Sequence, residues 1–217
     1  DGASGITIYA DKGSYAEKYA KKHNLTCKTI PAPTAVPVPK LKVSYDEKNG
    51  NATLNWTPVE YTFQYYIYRY DTATKKYKCV SKVDQNTTPY KPESPVGRTV
   101  KYKVRVRTLA GIYTDQYSKK SNTVTVQGRP GNVSDVYKKK KGKNLTFKWT
   151  KAKGAQGYIL YRYDENARKY RKIKTIKNGN ITSYTDKTGK LNKNENYYVR
   201  AYCTAKDGTR LYGWYWA

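Results

Sequence analysis

"YIYRYD" runs from Tyr66 to Asp71, and "YILYRYD" from Tyr158 to Asp164. A catalytic site is built once in a chain, whereas a module is spelled out each time it recurs, so the echo calls for a longer repeat. Outward from the pair, the match extends. Trp56 lies twelve residues before Tyr68 and Trp149 twelve before Tyr161, a displacement of 93 residues. Tyr65 and Tyr158, Arg69 and Arg162, Tyr70 and Tyr163, Asp71 and Asp164, and Tyr77 and Tyr170 keep the same displacement. "YKVRV" from Tyr102 and "YYVRA" from Tyr197 stand 95 residues apart, which needs only a two-residue insertion in a loop. Tyr68 and Tyr161 therefore read as scaffold, one in each copy.

Both copies carry the pattern of strands. In "ATLNWT", Leu54 and Trp56 fall on one face, with Thr53 and Asn55 on the other; "LTFKWT" repeats this with Leu145, Phe147 and Trp149. "YKVRVR" places Tyr102, Val104 and Val106 inward and Lys103, Arg105 and Arg107 outward. Alternation with period two signals an antiparallel sheet with one wet face. Asn49-Gly50, Asn178-Gly179-Asn180 and Asp207-Gly208 punctuate the strands as turns. Asp46, Glu47, Asp71, Asp84, Asp164 and Asp186 also have turn-like settings. The expected fold is mainly β: two tandem antiparallel β-sandwiches of immunoglobulin-like type, behind a short N-terminal strand–helix–strand.

Composition divides the chain. Residues 1–30 differ from the rest; "PAPTAVPVP", residues 31–39, holds four prolines and predicts an extended, semi-rigid spacer. The sandwiches are expected at 40–127 and 128–217, the second opening on the turn-rich hinge "GRPG", Gly128–Gly131. The chain has 217 residues and carries +27, from 43 Lys and Arg against 16 Asp and Glu. Such a field attracts polyanions without dictating a fold. The cations interleave with Tyr and Thr, however, as a solvated surface would; the one compact block, "KKKKGK", Lys138–Lys143, is expected to be a turn.

Other classes are disfavoured. No HExxH, GxSxG, phosphate-loop or glycine-rich dinucleotide motif occurs. No carboxylate pair is singled out for glycoside cleavage. Cys27, Cys79 and Cys203 are odd in number and widely spaced, so neither a zinc site nor a disulfide framework is encoded; His23 reads as a solvated side chain. We expect no catalytic residue, no metal and no cofactor. No apolar run is long enough to span a membrane, and the opening Asp1-Gly2-Ala3 is neither an initiator methionine nor a basic leader, so the chain reads as a fragment of something longer.

With these residues in view, the chain resembles tandem fibronectin type III domains over roughly residues 37–217. The carriers are Trp56 and Trp149, the Tyr-rich third strand of each copy, and "LNKNENYYVRAY", where Leu191 stands six residues before Tyr197. That spacing resembles the family's tyrosine corner. The first copy keeps it with Val96 and Tyr102. The lysine- and tyrosine-rich wording is similar to versions found on surface proteins of Gram-positive anaerobes. The N-terminal "GITIYADKGSYAEKYAKKHNLTC" resembles the last repeat of a bacterial surface type of leucine-rich repeat. It predicts a strand at Ile6–Tyr9, a helix opening at Ser14 with Glu17 completing a capping box, an apolar stripe of Tyr15, Ala16, Tyr19 and Ala20, and extended chain over Leu25–Ile30. Such a unit cannot bury its apolar face alone, which implies a solenoid upstream.

The resemblance implies non-enzymatic spacer or adhesion modules of a secreted or cell-wall-associated protein. A glycan-binding accessory module of a carbohydrate-active enzyme is one rival, and a polyanion binder is the other. Partners would be protein, cell-surface glycan or anionic polymer; nucleic acid is disfavoured. "LYGWYWA" supplies the ligand-binding candidates Tyr212, Trp214 and Trp216, since exposed aromatic faces stack on sugars or bases; the alternative is that they pack on the sandwich. Trp56, Trp149, Tyr68, Tyr161, Tyr102, Tyr197 and Leu191 are expected to be structural. One further expectation concerns the C-terminus. "SNTVTV", Ser121–Val126, reads as the final strand of the first copy and lacks a counterpart in the second. An open edge is thus expected beside Tyr197–Thr204, covered by a neighbour or by the Tyr212–Trp216 tail, unless "RLYGWYW" itself supplies the strand.

Overall fold

The computed structural model describes residues 7–10, 12–29, 35–46, 48–60, 62–86, 88–110 and 114–214. At the N-terminus β1 (Thr7–Ala10) and β2 (Thr26–Thr29) pair in parallel across helix α1 (Tyr15–Lys22). Ser14 caps α1 by accepting the Glu17 N–H at 3.2 Å. The return contact differs from the expected box: the Glu17 carboxylate accepts from Gly13 N–H at 2.5 Å and pairs with Lys21 at 2.8 Å. Of the expected apolar stripe only Ala20 is buried, while Tyr15 and Tyr19 are exposed. Two strands and one helix offer the stripe a single side to pack on. Ile6 and Ile30 lie outside the described residues.

In the first sandwich β3 (Leu41–Tyr45) pairs with β4 (Ala52–Trp56), and Tyr90 bridges to Leu54 on the far side of β4. Facing them are β5 (Thr62–Asp71), β6 (Lys76–Asp84), β7 (Thr99–Ala110) and β8 (Thr114–Tyr117), in the order β6-β5-β7-β8, with β9 (Val124–Gln127) pairing the start of β7. Every one of these named pairings is antiparallel. Leu54, Trp56, Tyr65, Ile67, Tyr102, Val104, Val106 and Val126 fill the space between the sheets.

The second sandwich repeats this. β10 (Val136–Lys141), β11 (Asn144–Trp149) and β14 (Ser183–Asp186) form one sheet. The other, ordered β13-β12-β15-β16, contains β12 (Gly157–Asp164), β13 (Lys169–Ile176), β15 (Tyr197–Thr204) and β16 (Arg210–Tyr212). Its core is Leu145, Phe147, Trp149, Tyr158, Leu160, Val199 and Ala201. Two facing antiparallel sheets make each unit an immunoglobulin-like β-sandwich, β3-β4 against the five strands β5–β9 in the first and three strands against four in the second.

The repeat holds in detail. Trp56 packs on Tyr65 and Trp149 on Tyr158, with ring centroids 5.1 and 5.4 Å apart. Each Tyr hydroxyl accepts a backbone N–H six residues upstream, from Val59 and Ala152 respectively. The partner strand of each central hairpin carries one extra residue, Val80 in β6 and Ile173 in β13, at matching positions. These bulges kink both sheets at the same place.

"KKKKGK" differs from expectation. Lys138–Lys141 belong to β10, and the turn is confined to Gly142-Lys143. Lysine stems line the strand, and the Lys138 ammonium donates to the Lys193 and Glu195 carbonyls while sitting over the Tyr197 ring. The final strand of the second sandwich is in part "RLYGWYW": β16 covers Tyr202–Thr204, and Gly213 N–H reaches the Ala201 carbonyl. In the first sandwich the matching edge also carries β9 on Thr99–Tyr102, whereas the pairing of β15 with β16 covers Tyr202–Thr204.

The expected hinge Gly128–Gly131 is tied to both units. Gly97 N–H donates to the Arg129 carbonyl at 2.7 Å, and Gly131 N–H to the Lys153 carbonyl at 2.8 Å. The Tyr45 hydroxyl of β3 accepts the Gln127 N–H at 2.7 Å, while its ring packs on Cys203, Ala205 and Leu211 of the second sandwich.

Both corner tyrosines engage upstream carbonyls. Tyr102 donates to Glu93 at 2.9 Å, and Tyr197 to Asn192 at 2.9 Å with the Glu195 carboxylate 2.5 Å away. Leu191 packs on the second core; Val96 is exposed, so the first corner closes on Glu93 instead. Burial pushes the Tyr102 hydroxyl up to about 12, and burial with the adjacent Glu195 carboxylate raises that of Tyr197. We expect Tyr102→Phe and Tyr197→Phe each to destabilise its own sandwich by about 1 kcal/mol, one net hydrogen bond. Hydrogen exchange resolved by sandwich checks this, with faster exchange expected in the mutated unit; no acceleration there would show that the hydroxyls hold nothing.

Candidate ligand-binding surface

Alternation along β5 sends Tyr65 and Ile67 inward and Tyr66, Tyr68 and Tyr70 outward. On β7 the outward set is Lys101, Lys103, Arg105 and Arg107. Cross-strand register places these two sets on one face, with Tyr66 opposite Arg105 and Tyr68 opposite Lys103. Cations settle over rings throughout it: Lys120 over Tyr68 at 4.4 Å, Lys103 over Tyr77 at 5.1 Å, Lys82 over Tyr66 at 5.3 Å, Lys101 over Tyr70 at 5.7 Å, Arg105 over Tyr117 at 4.5 Å and Arg107 over Phe63 at 4.6 Å. Each such contact contributes about 0.5–1 kcal/mol at an exposed site. The lattice holds positive charge on a flat aromatic floor.

The second sandwich builds the corresponding face with ring–ring contacts. Tyr161 stacks on Tyr198 at 4.6 Å, Tyr170 meets Tyr198 edge-on at 4.6 Å, and Tyr163 meets Tyr170 at 5.1 Å. Where the first copy has Lys103, the second has Tyr198, so a cation–ring contact becomes a ring–ring contact. Tyr68 and Tyr161 lie half-buried on the outer face, and the buried ring of each strand is Tyr65 or Tyr158.

The acidic residues of the repeated "YRYD" do close turns. Asp71 accepts the Ala73 and Thr74 N–H groups, and Asp164 accepts that of Ala167. Hydrogen bonding to Lys78 holds the Asp71 carboxyl well below its usual range, and the Ala167 N–H lowers that of Asp164. Arg69 turns toward the sheet end to pair with Glu93, and Arg162 to pair with Glu195 at 3.7 Å.

The C-terminal aromatics lie at the junction. Arg129, from the connecting segment, stands over the Trp214 ring at 4.1 Å and donates to the Asn49 carbonyl and to Asn51 Oδ1. Arg200 covers Tyr212 at 4.6 Å and donates to the Gly213 carbonyl; Arg210 covers Tyr202 at 4.6 Å. A small cleft lies here, lined by Lys48, Asn49, Arg129, Arg200, Arg210 and Trp214, among others. Burial, with Arg200 close by, lowers the pKa of Arg129. Tyr212 is half-buried beneath Arg200, Trp214 is exposed, and Trp216 lies outside the described residues. Sequence reasoning missed Arg129, which stands 85 residues before the ring it covers.

Cys27, Cys79 and Cys203 are free thiols, and burial pushes that of Cys203 up to about 11. The His23 ring leans on Tyr19 at 4.3 Å. Among the described residues no three His, Cys, Asp or Glu gather as metal ligands, and no helix is long and apolar enough to cross a membrane.

No family model and no curated protein matches the chain. Solved structures do. It is similar to the FN1–FN3 domains of chicken CNTN1, at 19% identity and a TM-score of 0.34, covering 79% of this chain and 61% of that one. A two-domain fibronectin type III segment of chicken tenascin matches at 16% identity and 0.38, covering 81% and 97% of the two chains. The chicken interferon gamma receptor alpha chain matches at 14% and 0.35, covering 82% and 94%. The chain spans under two thirds of the first of these. The sandwich fold rests on strand order and register, independently of such distant likeness.

Proposed function

We propose that this chain is a non-catalytic spacer and adhesion segment of an extracellular bacterial surface protein. In this reading residues 1–30 close a leucine-rich solenoid, 31–39 link it onward, and fibronectin type III-like units at 40–127 and 128–217 carry the binding faces. The carrying observation is the outer sheet of the first sandwich, where six cation–ring contacts fix Lys and Arg on a tyrosine floor. A flat surface of fixed positive charge suits an extended anionic partner, such as an acidic wall polymer or an acidic protein face. It also supports the polyanion-binding reading more than a neutral-glycan module.

Binding of the full chain to purified Gram-positive wall polymer tests this across a salt series. Retention at low salt is expected to fall steeply as the Debye length shortens from about 30 Å at 0.01 M to about 8 Å at 0.15 M. The triple variant Lys101→Glu, Lys103→Glu, Arg105→Glu is expected to lose it. Salt-insensitive binding of a neutral glycan would favour the accessory-module reading. Equal retention by the triple variant would remove the adhesive role from this sheet.

A further inference from the structure

We infer that the cleft between the two sandwiches is a binding site for a single carboxylate-bearing sugar, a uronic acid unit within a polysaccharide. This deepens the extracellular reading by naming a ligand class, and it is centred on Arg129, outside the charged face of the first sandwich. Three parts of the chain build the cleft. Lys48 and Asn49 come from the β3–β4 turn, Arg129 from the connecting segment, and Arg200, Arg210 and Trp214 from the last hairpin of the second sandwich.

Arg129 is the centre of the site. Its guanidinium lies on the Trp214 ring and commits Nη2 to Asn49 and Asn51. Those acceptors are a carbonyl and an amide, so the charge is held in place without being neutralised. Among the described residues no ion pair joins a carboxylate to Arg129, Arg210 or Lys48. A partly buried cation beside other cations favours an incoming anion, and a planar guanidinium fork matches a carboxylate bidentately.

Geometry selects the sugar. The cation and the exposed indole are in direct contact, so the ligand must carry its acid immediately beside a face that can lie on an aromatic ring. A pyranose with a carboxylate on its ring meets that demand within one unit, the carboxylate meeting Arg129 and a C–H face covering the exposed part of Trp214 beside it. In a nucleotide the phosphate and the base stand apart, with a sugar between them. The cleft is also small, which suits one group of a chain running over the surface rather than an engulfed ligand.

The test uses the full chain, Trp fluorescence and calorimetry, with an oligogalacturonate as probe at 0.15 M salt. The fully methyl-esterified oligomer keeps the rings and removes the charge; an oligonucleotide of equal charge supplies the opposite control. We expect saturable binding of the acid, at least tenfold weaker binding of the ester, and weaker binding of the oligonucleotide. Arg129→Gln and Trp214→Ala are each expected to weaken acid binding at least tenfold. Arg210→Gln, which disturbs no hydrogen bond to the first sandwich, is expected to weaken it several-fold with the fold intact. Lys169→Gln, an equal loss of charge on the exposed β13, should stay within twofold of the native chain. Equal affinity for acid and ester, Arg210→Gln matching Lys169→Gln, or tighter oligonucleotide binding would each overturn the site. The sheet reading fails separately, through the triple variant of the first sandwich.

Discussion

Tyr158→Ala is expected to unfold the second sandwich under conditions where the native chain is folded. Tyr158 is fully buried, and its ring packs edge-on against Trp149. Its hydroxyl accepts the Ala152 N–H at 3.1 Å and donates to the Gly179 carbonyl at 3.2 Å. Truncating a buried aromatic to Ala costs about 3–5 kcal/mol from lost transfer energy and the cavity left behind. A buried donor without its acceptor adds about 1–3 kcal/mol. Against a typical domain stability of about 5–15 kcal/mol, the sum is a large share of the total. Tyr158→Phe separates the two terms, because it keeps the ring and orphans the Ala152 N–H; only the second penalty should remain. Denaturant midpoints measure both. Equal midpoints for the two variants would show that the ring contributes no packing energy, contrary to its position between the sheets.

That prediction falls on a residue the sequence reading undervalued. The period-two pattern of "ATLNWT" and "LTFKWT" is legible because polar and apolar residues alternate, and the structure buries Leu54, Trp56, Leu145, Phe147 and Trp149 accordingly. In "FQYYIYRYD" Tyr or Ile fills the four consecutive positions 65–68, so the inward parity is hidden. The pairing with β7 settles it, with Tyr65 in and Tyr68 on the outer face. The lysine block is silent for the opposite reason. Four identical polar residues carry no period, and β10 takes its register from β11 alone.

The candidate sites were legible in unequal parts. Trp214 stood out as a large aromatic in a polar chain. Its partner did not, because "GRPG" reads as punctuation and nothing local marks Arg129 as a cation that meets a ring of the last hairpin. Such a contact depends on how one sandwich is set upon the other, and local pattern does not carry that information.

The same junction supplies the second large effect. Gly154→Ala is expected to break the coupling between the sandwiches and to replace one thermal transition by two. Gly154 sits in the turn between β11 and β12, facing Gly97 in the turn that precedes β7. An added Cβ would stand 2.4 Å from the Gly97 Cα and 3.0 Å from its carbonyl atoms, all of them backbone. Neither turn can yield easily, since Gly97 N–H is bonded to Arg129 and the Lys153 carbonyl to Gly131 N–H. Gly154 also has φ +71°, where a side chain is strained. Left-handed backbone costs about 1–2 kcal/mol for a residue with a Cβ, and overpacking adds about 1–3 kcal/mol. Relief comes from parting the turns, which would open the Tyr45 contact with Cys203 and Leu211 and move Arg129 relative to Trp214. Gly142→Ala isolates the backbone term, because Gly142 has φ +57° and nothing within 4 Å of its added Cβ. It should lower the melting temperature of the second sandwich slightly and leave one transition. Calorimetry on the two variants decides the matter: matching single-transition traces from Gly154→Ala and Gly142→Ala would mean that the turns do not press on one another and that their contact does not couple the sandwiches.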